Sequence, residues 1–62
     1  MLLTDIDGVV FEIEAAMVEA IHSRQGKDGK FTDVQTSSKD HLLVKETPAE
    51  VMRLIYKEKH HD

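Results

Sequence analysis

Two aspartates one residue apart, Asp5 and Asp7, follow the apolar pair Leu2-Leu3 and precede Gly8. Carboxylates are the groups that acid/base and metal-assisted chemistry use, but two alone do not make a site: further acids must complete a metal shell and a scaffold must converge them. The four histidines, His22, His41, His60 and His61, are the other candidate ligands. His60-His61-Asp62 could take up a transition metal adventitiously, but adjacent residues do not share a helix face. His22 and His41 can meet across strands, yet one pair does not complete a zinc site, and a surface role or mild pH sensitivity is expected of them. No Ser–His–Asp or Cys–His spacing is present. Gly26-Lys27-Asp28-Gly29-Lys30 is basic and glycine-rich enough to touch phosphate, but it lacks the Lys-Ser/Thr and helix of a P-loop and reads as a hairpin tip. Cysteine is absent, which excludes disulfides and thiolate sites. The residues therefore assign no catalytic group, no metal site and no cofactor.

The elements that must position these residues are legible in the spacing. Asp7-Gly8 between short apolar runs predicts a two-residue hairpin turn. Val9, Phe11 and Ile13 alternate with Val10, Glu12 and Glu14, the period of a half-buried strand. Ala15 to His22 has helical composition but is too short for a stable isolated helix, so the expectation is a turn at Ala15-Ala16 and a strand from about Val18 to Ser23. Arg24 to Lys30 is turn material, Phe31 to Thr36 a strand, Ser37 to Asp40 a second polar turn, and His41 to Lys45 another strand. Thr47-Pro48-Ala49-Glu50 fits a capping box with proline at the first helical position. A helix follows from about Pro48 to Lys59, with Val51, Leu54, Ile55 and Glu58 on one face and Met52 and Tyr56 widening its apolar side. The expected fold is α+β: one domain over 1–62, mainly β through residue 45, with a small antiparallel sheet of four to five strands and one C-terminal helix (47–60) packed on it.

Charge narrows the function. Eight Lys and Arg stand against twelve Asp and Glu, a formal net charge of −4. The five acids Asp5, Asp7, Glu12, Glu14 and Glu19 all precede the first basic residue, Arg24, and are the expected interaction surface for another protein. Arg24, Lys27 and Lys30 carry the alternative, nucleic-acid binding, which the acidic balance disfavours.

Four resemblances bear on these residues. Leu2 to Val10 resembles the first motif of haloacid-dehalogenase-type phosphatases, which implies Asp5 as nucleophile, Asp7 as acid/base and Mg²⁺ between them. That family spreads its remaining groups over a much longer α/β domain, and no matching Ser/Thr, Lys and acidic pair follows, so a strand and an Asp-Gly turn account for the motif. The whole chain is similar to the flagellar FlbD-like family of very small bacterial proteins. The similarity runs through Leu3-Thr4-Asp5-Ile6-Asp7-Gly8, Val10-Phe11-Glu12-Ile13, Val18 with Ile21, and Leu43-Val44-Lys45-Glu46-Thr47-Pro48-Ala49-Glu50-Val51, and departs from it in a longer Arg24–Lys30 turn. It implies a non-catalytic accessory protein connected with motility; an architecture shared with phage proteins, including inhibitors of host enzymes, is the alternative. The strand-to-helix ending is also similar to LytTR-type DNA-binding domains. Length and element order resemble the small RNA-binding carbon-storage regulators, but the Arg-rich first strand of the latter is missing here.

The 62 residues contain no apolar run of 18 and no signal-like start, so a cytoplasmic protein without a membrane span is expected. A core this small supplies about 3–5 kcal/mol unaided, and one helix covers only one sheet face, so a homo-oligomer is a natural expectation.

Overall fold

The computed structural model describes residues 1–60. Its elements run β1 (Leu2–Thr4), β2 (Val10–Glu12), a 3₁₀ turn (Ala15–Met17), β3 (Val18–Gly26), β4 (Gly29–Thr36), β5 (His41–Val44) and α1 (Pro48–Lys59). The class is α+β with antiparallel strands and one C-terminal helix. The expected single sheet is corrected to two: β1 with β2, and β3-β4-β5 in that order. A lone bridge between Asp5 and Val44 joins them. There the Lys45 N–H donates to the Thr4 carbonyl at 2.8 Å and the Ile6 N–H to the Leu43 carbonyl at 3.2 Å. The reciprocal bond from the Thr4 N–H would continue the ladder. That N–H instead donates to both carboxylate oxygens of Glu46, at 2.9 and 3.0 Å, which ends the pairing after one bridge.

The first hairpin is also longer than the expected two-residue turn. Its last pair is Thr4 with Val10, leaving Asp5 to Val9 as the loop. The Asp5 side chain is the cause. Its Oδ1 accepts from the Asp7 N–H at 2.9 Å and the Val9 N–H at 3.0 Å, a side-chain turn that competes with the tight hairpin. Gly8 takes φ +91°, which L side chains rarely adopt. The second hairpin errs the other way: β3 continues to Gly26 and β4 begins at Gly29, so Lys27 and Asp28 alone form the tip. At this end the Phe31 ring lies across Gly26, where a Cβ would stand 2.9 Å from a ring carbon. The turn at Ala15-Ala16 and the strand beginning at Val18 form as expected.

The helix begins where its local signals place it. The Glu50 N–H donates to Thr47 Oγ1 at 3.1 Å and the Thr47 N–H returns to Glu50 Oε1 at 2.9 Å, with Pro48 in the first turn. The bond from the Thr47 N–H is the first cause holding the Glu50 carboxyl below its usual range. Val51 is the residue α1 buries fully. It joins Leu3, Val34 and Val44, each with no exposed surface, in a core ringed by Phe11, Ile13, Ile21 and Leu54. Each such side chain contributes about 2 kcal/mol by leaving water. Met52 and Tyr56 do not join that packing: they are 62% and 64% exposed, because at 100° per residue they form a stripe beside Val51 rather than beneath it. At the far end of α1, Glu58 accepts from the Met1 amino group at 2.6 Å and the Ala15 N–H at 2.7 Å, fastening the helix to the start of β1 and to the 3₁₀ turn.

Candidate interaction surface

Leu3 and Phe11 face each other on the buried side of the first hairpin, so the Leu2/Glu12 and Thr4/Val10 pairs occupy the opposite side. That alternation leaves large apolar groups in water: Leu2 is 59% exposed and Val10 59%. Val9, at 60%, and Ile6, at 45%, are exposed in the loop, Ile6 toward the tip of the β3–β4 hairpin. Glu12 stands directly opposite Leu2, and Asp7 and Glu14 are exposed on either side of β2 in the chain. An apolar strip with a charged rim is the anatomy of a protein-binding surface, in which the strip supplies affinity and the rim orientation. The sequence pointed to the acids; it passed over Leu2 and Val10, whose exposure depends on which hairpin face the helix covers.

The five sequence-designated acids divide by location. Asp7, Glu12 and Glu14 belong to the hairpin surface. Asp5 is half-buried, with Oδ1 committed to the loop amides. Glu19 lies on β3 and pairs with Lys39 at 3.1 Å.

The designated basic residues are also separated. Arg24 turns back onto the sheet, its Nε and Nη2 both 3.4 Å from Asp33 Oδ2. Lys27 and Lys30 line a groove at the hairpin tip with Phe31, Ile6 and Lys45. His22 and His41 do not meet, because β4 runs between their strands. His41 Nδ1 instead lies 3.0 and 3.2 Å from the two oxygens of Asp33. Asp33 is only 5% exposed. The His41 bond, with the charges of His41 and Arg24, holds its carboxyl below the ordinary aspartate range despite burial. The hydroxyls of the adjoining turn are engaged among themselves: Thr36 Oγ1 and Ser38 Oγ share a bond at 3.0 Å, and both approach Asp40. Among the described residues no cluster of three His, Asp or Glu could hold a metal ion. The sequence reading of His60-His61-Asp62 lies largely outside the described residues.

The chain matches no family model, no curated protein and no solved structure. Among the described residues no helix is long and apolar enough to cross a membrane.

Proposed function

We propose that the protein is a non-catalytic interaction module that presents its β1–β2 hairpin to another protein. The observation that carries this reading is the exposed pair Leu2 and Val10 on the outer face of the hairpin, with Glu12 directly opposite Leu2 and Asp7 and Glu14 exposed in the same segment. The complementary partner offers an apolar cleft edged by Lys or Arg, since such a rim speeds encounter with an acidic surface and fixes its orientation. A motility-associated accessory protein of FlbD-like type, acting in the cytoplasm, is the biological setting that the sequence resemblance supports. A phage-type inhibitor of a host protein would use the same hairpin. The nucleic-acid alternative keeps Lys27 and Lys30, joined by Lys45 beside Phe31. Arg24 stands apart from them, its half-exposed guanidinium 3.4 Å from Asp33.

Charge reversal tests the proposal. A partner captured by the wild-type protein is expected to be lost with Glu12→Lys plus Glu14→Lys, while far-ultraviolet circular dichroism and the melting temperature stay unchanged. Recovery of that partner by the folded double variant would sink the hairpin reading. Salt-sensitive retardation of DNA or RNA that disappears in Lys27→Glu plus Lys30→Glu would favour the alternative.

A further inference from the structure

We infer that a second copy of this chain covers the groove between β3 and α1, pairing β3 antiparallel with its own counterpart. This surface is separate from the hairpin, and the inference does not rest on the hairpin's role.

The first ground is an open strand edge. β3 is the longest strand, nine residues, and among the described residues it pairs only with β4. Its other edge leaves backbone donors and acceptors free to template another strand. Short strands and flanking charges are the usual protection, and β2 has both: three residues, with Glu12 at its end and Glu14 beyond. β3 has no proline, and its two charges leave much of the edge open: Arg24 is drawn toward Asp33 and Glu19 sits at the bulge near the strand start.

The second ground lies beside that edge. Val18, Ile21, Met52, Ile55 and Tyr56 line a groove of about 510 Å³. Met52 and Tyr56 expose more than half of their surface there. A lone extended peptide would satisfy the strand edge but leave the helix stripe in water. A second copy brings both features at the spacing required, and a two-fold axis perpendicular to the sheet satisfies both together. A strand edge about 30 Å long beside a helix about 18 Å long offers a face of the size that one partner of a stable pair buries, about 800 Å². Because directly opposed strand residues share a sheet face, the axis passes beside a residue near the middle of β3 rather than through a peptide bond.

The test uses the whole chain and its lack of cysteine. Sedimentation equilibrium at micromolar concentration is expected to give a dimer, and Tyr56→Glu and Met52→Lys each to weaken it at least about tenfold. Both positions are exposed, so circular dichroism should show an unchanged fold. His22→Cys is expected to form an intermolecular disulfide under mild oxidation, and Val10→Cys is not. A monomeric wild type, a dimer indifferent to both groove variants, or cross-linking through Val10→Cys but not His22→Cys would overturn the inference.

Discussion

Asp33 carries more of the sheet's polar organisation than any other side chain. It sits on the central strand, 5% exposed, with Arg24 from one neighbouring strand and His41 from the other converging on its carboxylate. Both partners are about half exposed, so solvent screens the charges and the attraction is modest. Asp33→Asn is expected to cost about 1 kcal/mol at neutral pH, measured by urea unfolding. The sign with pH follows from the depressed carboxyl. Its contribution is fully present above the ordinary aspartate value, about 3.9, and is lost as pH falls through the lower folded value. The gap between wild type and variant should therefore close in acid; a gap that widens there would contradict the assignment. Gly8→Ala is a second residue-scale prediction: at φ +91° it should destabilise by about 1 kcal/mol, and no change in the melting temperature would refute the strained loop. None of this was legible beforehand for Asp33, because its partners lie on other strands and leave no periodic mark in the chain. Asp5 was legible as chemistry and became structure, since an aspartate that can catch amides two and four residues ahead will close a loop.

At the scale of elements, the helix cap and the antiparallel order of β3, β4 and β5 were legible, while the Asp7-Gly8 turn and the single sheet were not. The helix start was written in four consecutive residues, Thr47 to Glu50, whose two bonds depend on nothing distant. Thr47→Ala should cost about 1 kcal/mol and fray the first turn, seen as faster amide exchange at Val51; unchanged exchange would contradict the cap. The other end of α1 could not be read in advance. Glu58 looked like one more position on a face, yet it bonds Met1 and Ala15 from the start of the chain. Glu58→Gln should loosen the 3₁₀ turn at Ala15–Met17 while leaving the capping box intact. The division into two sheets was hidden for the same reason. Glu46 precedes a helix in sequence and gives no sign that its carboxylate will take the Thr4 amide from a ladder.

For the whole molecule, the economy of the core decides what the surface must do. Four large apolar side chains are fully buried, while seven others, from Leu2 to Tyr56, expose more than a third of their area. They fall largely into two places, the β1–β2 hairpin and the β3–α1 groove, and the early negative charge gathers mainly at the first. Composition made a small acidic module legible. It could not show which apolar residues one helix would leave uncovered. Photo-cross-linking tests the central claim, partner binding through the hairpin, most directly. A photoreactive residue at Val10 is expected to give a discrete adduct with a protein other than a second copy, lost when Glu12→Lys and Glu14→Lys are added. A photoreactive residue at Lys27 should give none. Adducts from Lys27 alone, or a Val10 adduct indifferent to charge reversal, would contradict the account.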